Sequence, residues 1–175
     1  MRRTHPDGWR RALALAAALL VPTAGIAGTF GIDRASQPEP GLIAAGQPTA
    51  EQLKEAAKAG YKTVLDLRPP AEARGFDEPQ AAKEAGLEYV NIPVTADTLD
   101  GATLDRFFEE MKKAERPVLV HCASSNRVGA LYYAYLVQEK GMAKEEALAK
   151  AREAGLRSPE LEAKIVTLVD QQPKR

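Results

Sequence analysis

The chain has 175 residues, and its 24 lysines and arginines balance its 24 aspartates and glutamates, so it carries no formal net charge at pH 7. With 45% hydrophobic and 27% charged residues it has the mixture of one globular domain with a real core, which excludes a disordered or fibrous chain. Residues 28–175 contain no basic run and few aromatics outside core patterns, so nothing supports binding to a nucleic-acid backbone.

At the N-terminus, Arg2, Arg3, Arg10 and Arg11 precede the apolar run 12–21, and Pro22 and small residues follow to Gly28. This is the pattern of an export signal over residues 1–27, cleaved after Ala27, and it predicts a periplasmic or secreted protein. The alternative is an uncleaved segment that anchors the chain in a membrane, because a run extended to Gly28 approaches the roughly 17 residues that span a bilayer. Removing residues 1–27 takes away four arginines and Asp7, leaving 20 basic and 23 acidic residues. In an oxidising compartment a single cysteine cannot close an internal disulfide, so Cys122 becomes a candidate for chemistry. It also excludes a Cys-based zinc site, and His121 is the only histidine beyond the signal.

Residues 28–40, polar and with Pro38 and Pro40, read as a linker or an arm along the domain, which then runs over 41–170 and ends in a tail, 171–175. The glycine-bounded apolar stretch 42–45 predicts an edge strand. Thr49 with Gln52 three residues on is a capping box, opening a helix with Leu53, Ala56 and Ala57 inward and Gly60 beyond its end. A strand follows over 63–67. The loop after it carries Arg68, Glu72, Arg74 and Asp77 and belongs at the ligand-binding end of a parallel sheet. Arg68 is either near a bound anion or a strand-end arginine in solvent or paired with Glu72. A short helix over 79–85, a strand over 87–94 and a loop with Asp97 and Asp100 come next. The helix after that loop has the stripe Leu104, Phe107, Phe108 and Met111.

The stretch from Pro117 organises the rest. Val118, Leu119 and Val120 are successive β-formers without alternation, as in a strand covered on both faces of a parallel sheet. His121, Cys122 and a polar loop lead into a helix starting at Arg127, with Val128, Leu131, Tyr132, Tyr135 and Leu136 on one stripe. A loop closing onto a helix N-terminus offers unpaired N–H groups and the positive end of the dipole to an anion. A thiol placed there ionises readily, which makes Cys122 a nucleophile. Two further helices, over 144–153 and from Pro159 behind the cap Ser158, look structural. The element order predicts an α/β three-layer sandwich around a largely parallel sheet.

His121-Cys122-x4-Arg127 between strand and helix resembles the phosphate-binding loop of the protein tyrosine phosphatase superfamily, in particular its small dual-specificity-like bacterial members. The usual spacing is five residues, whereas Ala123, Ser124, Ser125 and Asn126 make four here. The loop lacks the usual glycine, and Val128 stands where a Ser or Thr commonly assists departure of the thiolate. The short loop is similar to a bacterial branch that also occurs fused to metallo-β-lactamase-like proteins, and it has the loop length of rhodanese sulfurtransferases.

The resemblance implies a hydrolase acting on phosphate monoesters, phosphotyrosine or small phosphoesters, through a phosphocysteine. Cys122 would be the nucleophile, with His121 in support. Arg127 and the amides of Ala123, Ser124, Ser125, Asn126 and Val128 would hold the phosphoryl oxygens. Asp97 would be the general acid, with Asp100 as the alternative because it can instead cap the next helix. No metal or cofactor is needed; the partner is a phosphate monoester or phosphorylated protein, with membrane contact only through an uncleaved N-terminus, and the chain is expected to be a monomer. A sulfurtransferase carrying a Cys122 persulfide suits the tight loop, whereas the planar fork of Arg127 suits phosphate. A third alternative is a module that binds phosphate or a phosphoprotein without turnover.

Overall fold

The structure, a computed structural model, describes residues 28–172. The proposed signal over 1–27 lies outside them, and no helix of the described residues is long and apolar enough to cross a membrane. In chain order the elements are β1 (Ser36–Glu39), β2 (Leu42–Ala45), α1 (Ala50–Lys58), β3 (Thr63–Asp66), α2 (Glu78–Ala85), β4 (Glu88–Asn91) and α3 (Gly101–Lys113). After these come β5 (Val118–His121), α4 (Asn126–Gln138), α5 (Lys144–Glu153) and α6 (Pro159–Gln171). The capping box at Thr49 and the Ser158 cap of α6 form as the sequence predicts.

The sheet has the order β1-β2-β5-β3-β4, with only β1 antiparallel to its neighbour. Strand β5 is therefore interior, and all four of its residues are buried. Because successive side chains point to opposite faces, Val118 and Val120 join the core beneath α3 to α6, while Leu119 joins the core beneath α1 and α2. This is the expected three-layer sandwich. Docking of α3 rests on Leu104, Phe107, Phe108 and Met111, all buried, each worth roughly 1.5–3 kcal/mol of transfer free energy.

The strand expected over 87–94 is shorter, Glu88–Asn91, and the N-terminal segment also differs from the sequence reading. The segment read as a linker or arm over 28–40 belongs to the fold: Ile32 is in the core, and Ser36–Glu39 forms the edge strand. Consequently β2, expected at the edge, has a partner on both sides. Proline-rich polar sequence is compatible with an edge strand, where few N–H groups are required.

Helix α4 is central and buried along nearly its whole length. Gly129 lets it approach its neighbour: a Cβ there would lie 2.3 Å from the Leu156 nitrogen and 2.6 Å from the Ala151 carbonyl oxygen. The turn between α5 and α6 is thereby pressed against the start of α4.

Candidate active site

Strand β5 delivers Cys122 to the carboxyl end of the sheet, where its backbone N–H donates to the Ala45 carbonyl at 3.3 Å and its side chain is fully buried. The next carbonyls turn outward. That of Ala123 accepts from the Gln47 N–H at 3.3 Å, and that of Ser124 accepts from Arg157 Nη2 at 2.7 Å. A planar trans peptide sets its N–H opposite its C=O, so the amides of Ser124 and Ser125 face into the loop. Ser125, with φ of 63°, is in the left-handed region, which costs a residue bearing a Cβ roughly 1–2 kcal/mol. It precedes α4 without capping it; its hydroxyl donates instead to the Ala154 carbonyl at 2.7 Å. The first N–H groups of α4 have no intrahelical acceptor, and no side chain of the N-cap takes one up. The loop and the start of α4 together can present N–H donors to an anion.

Arg127 folds back across this loop. Its Nη2 donates to Glu72 Oε1 at 2.8 Å, and its Nη1 donates to the Val94 carbonyl at 3.1 Å, tying together the loops that follow β3 and β4. Burial works to lower its pKa, but the Glu72 hydrogen bond and the negative charge Cys122 carries when ionised raise it above its ordinary value. Arginine and cysteine thus form one electrostatic unit. Val128 is buried, as an apolar residue at this position should be.

His121, the residue before the cysteine, points to the other side of the strand. There Asp66, Arg68, Glu78 and His121 are all fully buried. Asp66 accepts from Arg68 Nε and Nη2 at 2.9 Å each, from Arg74 Nε at 3.2 Å and from the Tyr89 hydroxyl at 2.7 Å. Arg68 Nη2 also donates to Glu78 Oε2. His121 Nε2 lies 2.7 Å from Glu78 Oε1, but off the line of a formed hydrogen bond. Burial opposes ionisation of Asp66, yet its hydrogen bonds with Arg68 outweigh that and hold its carboxyl at about 2. Ligand atoms of Asp66, Glu78 and His121 come within 4.8 Å of one another, as a metal site would require. Both carboxylates, however, are committed to the Arg68 guanidinium, whose charge opposes a second cation in the same place.

Neither expectation for Arg68 holds: it is not in solvent, and Asp66 and Glu78 are its partners, whereas Glu72 pairs with Arg127. The two candidate acids separate. Asp100 caps α3, accepting from the Thr103 N–H at 2.8 Å, and that bond lowers its pKa, which suits a cap better than a proton donor. Asp97 is exposed on the turn between Thr95 and Thr98. Val94, Thr95 and Ala96 line one side of a cleft of about 300 Å³ beside Arg127, with Ser158, Glu160, Leu161 and Lys164 on the other. Lys164 Nζ donates to the Ala96 carbonyl across it.

Residues 30–167 match the family described as DSP-PTPase phosphatase fused to NAD+ kinase. The chain belongs to that family. Its members are phosphatases of the protein tyrosine phosphatase superfamily, and the α/β architecture agrees. Among curated proteins, this DSP-PTPase chain is 35% identical over 95 residues to a beta-lactamase hydrolase-like protein of Agrobacterium fabrum, covering 52% of this chain and 22% of that protein. It is 34% identical over 109 residues to the protein of that name in Xylella fastidiosa, covering 60% and 25%. The chain therefore spans about a quarter of the length of these relatives or less. Among solved structures, a DUF442 protein of Shewanella putrefaciens named for an expected phosphatase activity is similar with a TM-score of 0.69 and 26% identity, over 81% of this chain and 94% of that one. TpbA of P. aeruginosa shares the fold with a TM-score of 0.65 at 22% identity, over 81% and 86%. TpbA has also been crystallised with phosphotyrosine.

The loop residues singled out in the sequence, 121 to 128, are contiguous and so come together by construction. The structure adds Glu72 as the partner of Arg127, Glu78 beside His121, and Arg157 behind Ser124. Glu72 and Glu78 had a usable signal, since both lie in the stretch after β3 expected at the ligand end of the sheet, whereas Arg157 had none.

Proposed function

We propose that the protein is an exported cysteine-dependent phosphatase that hydrolyses phosphate monoesters through a phosphocysteine intermediate. The observation that carries this reading is the Arg127 fork folded back beside Cys122 over a ring of inward amides. The sulfur of Cys122 attacks phosphorus in line with the ester oxygen; the S–P bond forms as the P–O bond breaks. The amides from Ala123 to Val128 and Arg127 hold the three equatorial oxygens. Asp97 protonates the departing oxygen, then takes a proton from the water that releases phosphate and restores the thiolate. The cleft beside Arg127, walled by Val94, Ala96 and Leu161, suits an apolar or aryl leaving group such as that of phosphotyrosine, the compound seen with TpbA.

The Ser125 hydroxyl donates to the Ala154 carbonyl, which leaves that of Ser124 as the loop hydroxyl that could take over from the one missing at Val128. Breakdown of the intermediate should be slow. Export rests on residues 1–27, and cell fractionation with an antibody to the domain tests it.

The purified protein should be given an aryl phosphate and, separately, thiosulfate with cyanide. Ester hydrolysis with a burst of phenol equal to the enzyme supports the proposal. Thiocyanate without ester hydrolysis would establish the sulfurtransferase instead, and silence in both with measurable phosphate binding would make the protein a binding module.

A further inference from the structure

We infer that the turn between α5 and α6, through Arg157, positions the amides of the Cys122 loop for an oxyanion. The inference rests on the oxyanion-binding reading of that loop and deepens it. A loop of four residues without glycine has little freedom to turn its carbonyls outward, and here it is held out by a neighbour. Arg157 Nη2 donates to the Ser124 carbonyl at 2.7 Å while its Nη1 donates to the Gly155 carbonyl at 2.9 Å, so the guanidinium bridges turn and loop. Asn126 Oδ1 accepts from the N–H groups of Arg157 at 2.8 Å and Ser158 at 3.2 Å. Ser125 Oγ donates to the Ala154 carbonyl. Gly155, with φ of 110°, allows this approach, since a Cβ on it would lie 2.6 Å from that of Ser125.

Three consecutive loop residues are thus tied to one turn of five. The Ser124 carbonyl is the critical group. If it rotated inward it would set an oxygen against the bound anion and withdraw the Ser125 N–H from the ring, because one peptide plane carries both. Arg157 is exposed, so removing it leaves no cavity and acts only through the loop.

The test uses the full chain with inorganic phosphate as the calorimetric probe, and an aryl phosphate for kinetics. Arg157→Met should raise the Kd for phosphate and the KM for ester by about three- to tenfold, the net scale of one ordinary hydrogen bond, with the thermal midpoint nearly unchanged. The ratio to wild type should persist in 0.5 M salt, where the reach of an exposed charge falls to a few ångströms. Arg157→Lys, which keeps one donor, should recover part of the loss. Phosphate affinity equal to wild type in the methionine variant overturns the inference, as does a difference that disappears in salt or a lysine variant with no recovery. A wild-type protein that binds phosphate but hydrolyses no ester would remove the proposed activity and leave the phosphate titration decisive here.

Discussion

His121 and Cys122 are neighbours in sequence, yet they serve two polar constellations of opposite design. On the α2 side of the sheet, Arg68 is closed in with Asp66 and Glu78, and its side chain has 0% exposure. On the α4 side, Arg127 is 20% exposed, and the side chain of the N-cap Ser125 takes up none of the first N–H groups of α4. The first cluster pairs its charges internally and so contributes to holding β3, α2 and β5 together, although Arg68 Nη1, Glu78 Oε1 and both His121 nitrogens have no hydrogen-bond partner among the described residues. The second engages Arg127 with Glu72 and the Val94 carbonyl but leaves the first N–H groups of α4 without an intrahelical or side-chain cap partner, which suits an anionic ligand. Opposite faces of one strand end separate the two tasks by a single residue.

The sharpest way to break this division is at the nucleophile. Cys122→Ser should reduce ester hydrolysis to background while inorganic phosphate still binds within about threefold of wild type, because the amides and Arg127 remain. Turnover at the wild-type rate would mean that Cys122 is not the nucleophile. Next in size is Asp97→Asn. A general acid contributes about 10²- to 10⁴-fold, and the loss should fall on esters with poor leaving groups and spare an activated aryl phosphate. If Asp100→Asn reproduced that pattern and Asp97→Asn did not, the acid would be Asp100 in spite of its capping bond.

The closed cluster should respond in the other currency, stability. Arg68→Met leaves the buried Glu78 without its cation and Asp66 with only Arg74, and should cost about 3–5 kcal/mol in urea unfolding, with turnover per folded molecule little changed. An unaltered midpoint would show that the network contributes nothing. The smallest effect concerns acid. The folded-state pKa of Asp66 lies at about 2, below its ordinary 3.8, so its stabilisation is complete above that ordinary value and is lost as the pH falls through about 2. Urea midpoints measured downward from pH 5 should decline over that window by on the order of 2 kcal/mol, and Asp66→Asn should lack this part of the decline.

Local patterns in the chain determined a good deal: the strand Val118–His121 from its unbroken β-formers, the helix stripes of α3 and α4, the caps at Thr49 and Ser158, and the Cys122–Arg127 loop from the meeting of a strand with a helix start. All of these depend on residues within a few positions of one another, where spacing in sequence is spacing in space. Tertiary structure alone decided which carboxylate meets which arginine. Glu72 and Glu78 both follow Arg68 within ten residues, but the loop carries Glu72 across to Arg127, 55 positions away, and folds Glu78 under Arg68. It also decided that 28–40 adds an edge strand, because a polar proline-rich segment becomes a strand only when a partner with free hydrogen-bonding groups lies beside it. The approach of Arg157 to Ser124 depends on the packing of α4 against α5 at Gly129. No local propensity encodes that contact, since its residues are separated by whole helices and meet only when the core closes.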